Sequence, residues 1–270
     1  MTRPPLTWLY VPGDRPPVMA KALTAGADVV VIDLEDAVAP DRKEYARAAT
    51  ADLLSEPRPV PVQVRVNALD SPWAAEDLAT LTACPGPAGL RLPKVSSPDE
   101  IGRVAAATPL PLYALLETAL GIEHAYAIAT AHPALRGIAL GEADLRADLG
   151  VRADAGLDWP RSRVIVAARA AGLAPPPQSV HPDIRDLAGL AASCAHGRAL
   201  GFLGRAAIHP RQLPVIEQAY LPTPAEIEHA ETVLKAATTQ EGAQALPDGR
   251  FVDAAVVATA RRTLSLAHRG

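Results

Sequence analysis

Acidic residues follow apolar runs at several points of the sequence. The run DVVVIDLEDAV, residues 28–38, closes on a group of acids that includes Glu35 and Asp36. Glu117 directly follows PLYALL, and Asp144 lies just after RGIALG. An acid beside so apolar a segment is costly unless it is paired or bound to a cation. The pattern therefore indicates a site at which carboxylates bind a cation.

Carboxylates with no Cys and few His residues nearby form a hard oxygen-ligand set, which suits Mg²⁺ better than zinc. Arg65, which follows the run PVQV, can bind a substrate carboxylate through a two-pronged hydrogen bond. A site that combines a metal, an arginine and an acid can polarise a carbonyl or alkoxide next to a carboxylate. Aldol-type carbon–carbon cleavage is a reaction that fits this chemistry. The sequence contains no GxSxG motif, no P-loop and no Cys paired with His that would offer another nucleophile.

Short runs rich in β-branched and other apolar residues recur along the chain and predict the strands that position these side chains. Most are separated by stretches with helical spacing, such as DRKEYARAATADLL and SPDEIGRVAAAT. Strands that alternate with helices indicate a parallel sheet with helical crossovers. The eight predicted strands are TWLYV, DVVVIDL, PVQVRV, GLRLPKV, PLYALLE, RGIALG, QSVHPDI and FLGRAAIH.

Eight such units predict an α/β fold, a TIM (β/α)8 barrel over residues 1–220. The carboxyl ends of barrel strands meet at one rim, so the acids and Arg65 are expected to lie together there. A doubly wound open sheet is the alternative, but the turn VPGDRPP lacks the Gly-rich fingerprint of that fold. Residues 221–270 are predicted to form a C-terminal helical extension, with helices from Pro224 to Thr239 and from Ala254 to His268.

Composition excludes several classes of partner. The net charge of −4 and the pI near 6.0 provide no basic face for nucleic acid. The two cysteines, Cys84 and Cys194, have no companion at the spacing of a zinc site or a disulfide framework. No window approaches the roughly 18 apolar residues of a membrane span. We therefore expect a cytoplasmic protein whose ligands are small molecules.

The motifs resemble those of the citrate lyase β-subunit-like group within the HpcH/HpaI aldolase/citrate lyase family. The resemblance runs nearly from end to end, and the motifs occur in the order typical of the family. They are LYVPGDRP at 9–16, VVVIDLEDAVAPDRK at 29–43, VRVN at 64–67, LPKV at 92–95, LLETALG at 115–121, GEADLRADLG at 141–150 and AIHPRQLPVI at 207–216.

This resemblance implies a TIM barrel that binds Mg²⁺ and cleaves or forms a β-hydroxyacyl-CoA, such as malyl-, citramalyl- or citryl-CoA, with a 2-oxo acid and an acyl-CoA as the products of cleavage. It implies that Glu117 and Asp144 ligate Mg²⁺ and that Arg65 binds the carboxylate of the oxo acid. Arg15 and Lys21 would contact the phosphates of the substrate's CoA.

Further roles follow from the same resemblance. Tyr10, in the LYVPGDRP motif, is assigned to the CoA site. The family's C-terminal segment commonly covers the site of a neighbouring subunit, often in a trimer, and Asp253 would act there as the catalytic acid or base. Glu35 and Asp36 would orient metal-bound waters. The motif GEADL places Glu142 one position earlier than in many relatives, so its role is open.

Structural alternatives stand beside these roles. Glu117 could instead form a salt bridge to an arginine at the rim. Arg65 could instead neutralise Glu35 or Asp36. Asp144 and Asp253 each suit the N-cap of a helix. Alternative functions are a citrate lyase β subunit acting on an acyl-carrier-protein thioester, a CoA-independent 2-oxo-acid aldolase and a non-catalytic barrel that binds metabolites.

Overall fold

The computed structural model describes residues 4–239, 244–245 and 251–267. The chain divides into two compact units. One unit is Pro5–Ala219, and the other contains Pro4 and the described residues from Tyr220 onward. None of the helices within the described ranges is long and apolar enough to cross a membrane.

The larger unit is built on a parallel β-sheet, as the alternating strand and helix patterns predict. Its strands follow the order β6-β5-β4-β3-β2-β1-β7, and every neighbouring pair is parallel. The strand β2 is buried along its whole length, which agrees with its continuous apolar sequence. The seven strands are β1 Thr7–Pro12, β2 Val29–Asp33, β3 Val62–Arg65, β4 Pro87–Leu92, β5 Leu112–Leu116, β6 Leu135–Leu140 and β7 Arg205–Ala207.

Helices connect the strands. The predicted Ser and acid start signal is present at the beginning of α4, where the Glu100 carboxylate accepts a hydrogen bond from the Ser97 N–H at 2.9 Å. The helices of this part of the chain are α1 Pro16–Ala22, α2 Lys43–Leu53, α3 Ala74–Thr82, α4 Pro98–Ala107, α5 Ala119–Glu123, α6 Ala125–Ala129, α7 Glu142–Asp148, α8 Asp158–Ala170, α9 Leu187–Leu200 and α10 Leu213–Tyr220.

The prediction of a full strand at QSVHPDI was wrong. The structure shows a single parallel bridge there, between Gln178 and Arg205 of β7. Three prolines, residues 175–177, precede Gln178, and Pro182 follows four positions later. A proline has no N–H to donate to a ladder, so the prolines on both sides of this segment disfavour a longer strand.

A side chain links this segment to the other edge of the sheet. The Ser179 hydroxyl donates to the carbonyl of Leu140, the last residue of β6, at 2.6 Å. The same hydroxyl accepts a hydrogen bond from the N–H of Glu142 at 3.1 Å. Ser179 therefore connects β6 to the segment that pairs with β7, where a regular eighth strand would have supplied backbone bonds.

The smaller unit contains the two predicted C-terminal helices, α11 Pro224–Thr239 and α12 Ala254–Ala267. Short antiparallel strands, β8 Gln244–Ala245 and β9 Phe251–Val252, lie between the helices in sequence. Its core contains Ala230, Val233, Val252 and Ala260. Because α11 and α12 share this core, the extension forms a hydrophobic cluster of its own. Its action on a neighbouring subunit stays a prediction.

Candidate active site

The carboxyl ends of the strands surround a cavity of about 950 Å³ in the larger unit. Parallel strands direct their carboxyl ends to the same edge, so side chains distant in sequence meet there. The structure brings most of the residues predicted from the sequence to this cavity. Its lining includes Tyr10, Asp36, Arg65, Glu117 and Asp144, together with Asp33, for which the sequence analysis proposed no role.

Arg65 is held by Asp33, its register partner at the end of the neighbouring strand. The guanidinium donates two hydrogen bonds, from Nε to Oδ1 at 2.8 Å and from Nη2 to Oδ2 at 2.6 Å. Asp33 also accepts the N–H groups of Glu35 at 2.9 Å and Ala37 at 3.3 Å. Asp33 thus fixes both Arg65 and the acidic loop. The signal for this role was the position of Asp33 at the end of the apolar run VVVI.

Arg65 contacts further acids of the same loop. Its Nη1 lies 2.9 Å from Glu35 Oε2 and 3.5 Å from Asp36 Oδ2. Arg65 and Glu35 form an ion pair, but the angles of this contact are not those of a hydrogen bond. Burial disfavours the charged guanidinium, but the Asp33 hydrogen bonds and the surrounding acids outweigh it and raise the pKa of Arg65. Arg65 therefore neutralises these acids, which is the structural alternative predicted for it. It also lines the cavity.

Lys94 places an ammonium group among three carboxylates from two segments. Its Nζ lies 2.5 Å from Glu35 Oε1, 3.8 Å from Asp36 Oδ1 and 3.8 Å from Asp144 Oδ2. Within the described ranges, Lys94 is the sole non-glycine residue with positive φ, at 54°. This conformation is uncommon for a residue with a side chain and marks a constrained position. The role of Lys94 was not predictable, because nothing in the motif LPKV indicates its backbone conformation.

Glu117 lies just beyond the end of β5 and is 2% exposed. Its Oε2 accepts a hydrogen bond from the Lys94 N–H at 3.1 Å. Burial is the main cause that raises the pKa of Glu117 to about 8, and the negative charge of Glu35 is the second. The backbone at Gly141 approaches the side chain so closely that an added Cβ would lie 2.1 Å from Glu117 Oε1. Gly141 therefore leaves the space that the carboxylate needs.

Asp144 lies in the first turn of α7, and its side chain is 45% exposed. The N-cap of α7 is Gly141, so Asp144 does not have the capping role that was its structural alternative. Asp144 and Glu117 line the same cavity, and the charge of Asp144 contributes to the raised pKa of Glu117. The two carboxylates therefore face the same cavity and interact through their charges.

These residues fit Mg²⁺. The candidate ligands are carboxylate oxygens, and the Lys94 ammonium shows that the acids surround a position suited to positive charge. Across the described residues, no group of three or more His, Cys, Asp and Glu side chains is arranged to hold a metal. Mg²⁺ usually takes only one or two protein carboxylates and keeps waters, so Glu117 and Asp144 suffice for it.

Glu142 lines the cavity and is bound by Arg161. Arg161, on α8, donates from Nε to Glu142 Oε1 at 2.9 Å and from Nη2 to Oε2 at 2.7 Å. It also contacts Asp154 and Asp158. Hydrogen bonds from Arg161, more than those from Arg146, lower the pKa of Asp154 to about 2. The early acid of GEADL thus connects α7 to α8.

The residues predicted to bind CoA are not grouped together. Arg15 and Lys21 are exposed at the start and in the last turn of α1, and neither lines the cavity. The Tyr10 ring lies inside the cavity, 5.6 Å from the Arg65 guanidinium and 5.8 Å from that of Arg91. Tyr10 therefore lies beside the proposed binding site of the acid and apart from Arg15 and Lys21.

Asp253 belongs to the smaller unit and caps α12. Its Oδ1 accepts the N–H groups of Ala255 at 3.0 Å and Val256 at 2.9 Å. This is the N-cap arrangement that was the structural alternative for Asp253. A catalytic role for the same carboxylate stays a prediction.

The chain is similar to known proteins over most of its length. Residues 6–210 match the family model described as HpcH/HpaI aldolase/citrate lyase. A (3S)-malyl-CoA thioesterase of Cereibacter sphaeroides is 38% identical, over 96% of this chain and 93% of that protein. The citrate lyase subunit beta of Escherichia coli is 34% identical, over 98% and 94%. A crystal structure of the protein CitE from Mycobacterium tuberculosis, in complex with magnesium, acetoacetate and coenzyme A, is similar with a TM-score of 0.86, 36% identity and 98% coverage of both chains.

Proposed function

The chain belongs to the HpcH/HpaI aldolase/citrate lyase family, and on this basis we propose that it is a Mg²⁺-dependent carbon–carbon lyase. The proposed reaction cleaves or forms a β-hydroxyacyl-CoA, with a 2-oxo acid and an acyl-CoA on the other side. The observation that carries this proposal is the meeting of Glu117, Asp144 and Arg65 on the wall of one cavity. The similar structure with magnesium, acetoacetate and coenzyme A supports the same ligand classes.

In this proposal each residue has one task. Glu117 and Asp144 hold Mg²⁺, which when bound polarises the oxygens of a hydroxy or oxo acid. Arg65, oriented by Asp33, binds the acid's carboxylate through its N–H groups. Glu35 keeps Arg65 and Lys94 in place through its two ion pairs.

Cleavage requires two proton transfers. A base removes the proton of the substrate hydroxyl, the carbon–carbon bond breaks, and its electron pair moves to the carbon next to the thioester. Asp253 protonates that carbon, and in the reverse direction it removes a proton from the acyl-CoA. Arg15 and Lys21, exposed on one short segment, are proposed to contact the CoA phosphates.

The proposed assembly is a closed barrel within a homo-oligomer, with a trimer favoured. The Ser179 hydrogen bonds to β6 and the Gln178 bridge to β7 support closure of the sheet between its two edge strands. Residues 221–270 are proposed to cover the site of a neighbouring subunit. Both cysteines, Cys84 and Cys194, are free, which suits the reducing cytoplasm that we propose as the location.

A panel of thioesters tests the reaction. Malyl-, citramalyl- and citryl-CoA are incubated with the protein, with Mg²⁺ or with EDTA, and the products are identified by mass spectrometry. We expect a 2-oxo acid and an acyl-CoA from at least one substrate, and only with Mg²⁺. Turnover that persists in EDTA, or no carbon–carbon cleavage of any of the three, would contradict the proposal.

Thioester hydrolysis is a second candidate function, favoured by the relatives named (3S)-malyl-CoA thioesterase. The same panel separates the two, because hydrolysis of malyl-CoA yields free CoA and malate, whereas cleavage yields acetyl-CoA and glyoxylate. Because other relatives are named citrate lyase subunit beta, acyl-carrier-protein thioesters should be tested beside the CoA thioesters. A clear preference for the carrier-protein substrate would assign the chain to that reaction.

A further inference from the structure

A second cavity, of about 200 Å³, lies between β6 and the proline run that precedes the predicted seventh strand. One wall is formed by Gly137 and Ile138 of β6, and another by the proline run at 175–177. The prolines cannot pair with the edge of β6, so the two segments leave a gap between them. We call this space the proline cavity. Among the described residues that line it there is no acid, whereas two of them, Arg91 and Arg136, are arginines.

Arg91 is a buried cation that has no acidic partner among the residues that the structure describes. It is 3% exposed, and no carboxylate of the described residues lies within ion-pair distance of its guanidinium. Its Nε donates to Gln63 Oε1 at 2.7 Å and its Nη1 to the Tyr10 hydroxyl at 3.4 Å. Within the described chain Nη2 makes no hydrogen bond. A buried guanidinium normally has an acid as its counter-charge, so the structure leaves this position open for one.

Aromatic rings partly replace that counter-charge. The guanidinium carbon of Arg91 lies 6.0 Å from the centre of the Trp8 ring and 5.7 Å from that of Tyr113. Ring faces attract a cation, but they accept no strong hydrogen bond. Trp8 and Tyr113 also line the proline cavity, so the same rings offer an apolar wall to a ligand.

Arg136 supplies a second positive group. It is exposed on β6 and makes no ion pair with any other residue in the described ranges. The proline cavity therefore combines two arginines with apolar walls of aromatic rings, prolines and β6. A space of this size holds about six or seven non-hydrogen atoms, if each occupies roughly the 30 Å³ of a water molecule.

We infer that the proline cavity binds a short-chain monocarboxylate. The carboxylate accepts hydrogen bonds from Arg91 and Arg136, and the alkyl chain of about three to five carbons packs against Trp8 and Tyr113. This site is separate from the proposed metal site, although Arg91 lines both cavities. The inference does not rest on the proposed reaction.

Trp8 provides the readout. The protein has three tryptophans, so replacing Trp73 and Trp159 by Phe leaves Trp8 as the reporter beside Arg91. This variant is titrated with sodium butyrate at constant ionic strength, and with butyramide, a neutral molecule of nearly the same shape. We expect a saturable change in fluorescence with butyrate and none with butyramide.

Two arginine variants complete the test. Arg136→Glu changes an exposed side chain and should weaken butyrate binding about tenfold or more, and Arg91→Gln should abolish it. If Arg91→Gln does not fold, Arg136→Glu decides the question alone. The inference is overturned if the butyrate signal does not saturate or if Arg136→Glu binds butyrate as well as the parent. It is also overturned if pyruvate with Mg²⁺ displaces butyrate competitively, because the ligand would then occupy the larger cavity.

Discussion

At the level of single residues, the site depends on a bidentate pair between two strand ends. Asp33 and Arg65 are register partners, and their two hydrogen bonds of 2.8 and 2.6 Å fix the plane of the guanidinium. A fixed plane matters because a carboxylate is recognised by two parallel N–H groups. Lysine would retain the charge of Arg65 but not this geometry.

Arg65→Lys is therefore expected to raise the KM for the 2-oxo acid in the condensation direction about tenfold or more, because one fixed N–H fork is lost. The matched control is Arg103→Lys, which changes an exposed arginine of α4. Steady-state kinetics with a varied oxo acid measures both variants. An unchanged KM in Arg65→Lys would show that this guanidinium does not bind the acid.

Gly141→Ala tests the space around Glu117. The added Cβ would lie 2.1 Å from Glu117 Oε1, so the flexible carboxylate must move away from its position. We expect Mg²⁺ affinity to fall about 10- to 100-fold, as when a group that orients a metal ligand is changed. Isothermal titration with Mg²⁺ measures the loss.

The matched control is Gly102→Ala in α4, where an added Cβ meets no atom within 4 Å. It should leave Mg²⁺ affinity unchanged and stabilise the helix by about 0.5–1 kcal/mol. Equal Mg²⁺ affinity in Gly141→Ala and Gly102→Ala would mean that the position of Glu117 does not decide metal binding.

The sequence predicted part of this site and missed part of it. Glu117, Asp144 and Arg65 were predictable because each follows an apolar run, and the carboxyl ends of parallel strands meet at one edge. Asp33 and Lys94 were not assigned. The partner of Asp33 lies on another strand, so the sequence around Asp33 does not reveal it. The role of Lys94 depends on a positive φ, which no motif in the sequence indicates.

At the level of elements, Arg161 connects α7, α8 and the 3-10 turn Asp154–Leu157. It is buried and contacts Glu142 and two aspartates. Removing one partner from such a network leaves a buried charge less well compensated. This network positions the helix that carries Asp144.

The pH dependence of stability follows from Asp154, whose pKa is lowered from 3.8 to about 2, chiefly by Arg161. A lowered pKa in the folded state contributes stability that is fully present above pH 3.8 and is lost as the pH falls through about 2. We expect Asp154→Asn to lower the free energy of unfolding at pH 6 and to have less effect at pH 3. Urea unfolding at the two pH values measures this difference, and an effect of equal size at both would contradict the assignment.

The missing strand shows where an apolar pattern misleads. QSVHPDI contains β-compatible residues, but the prolines at 175–177 and Pro182 remove the N–H groups that a ladder needs. The positions of the prolines were therefore a better guide to this segment than the count of eight strand and helix units. The C-terminal helices were predicted well, with α11 matching its expected bounds and α12 ending within one residue of them, because each has a helical pattern bounded by polar segments.

At the level of the whole molecule, the proposal requires two chains for one site. Glu117→Gln removes a proposed metal ligand and keeps Asp253, whereas Asp253→Asn keeps both proposed metal ligands. If Asp253 acts on a neighbouring subunit, a mixed oligomer regains sites that combine an intact barrel with an intact tail.

Co-expression of Glu117→Gln with Asp253→Asn should therefore restore about a quarter of wild-type activity, since half of the barrels and half of the tails are intact and pair at random. Each variant alone provides the control for residual activity. If the mixture is no more active than the two separate variants, Asp253 does not act between subunits.

The central claim is that Glu117 and Asp144 bind one divalent ion. Anomalous diffraction from crystals grown with Mn²⁺ in place of Mg²⁺, and with pyruvate, tests it most directly. We expect one strong anomalous peak between these two carboxylates, with metal–oxygen distances of about 2.0–2.2 Å. The absence of a peak there, or a peak bound by other residues, would contradict it.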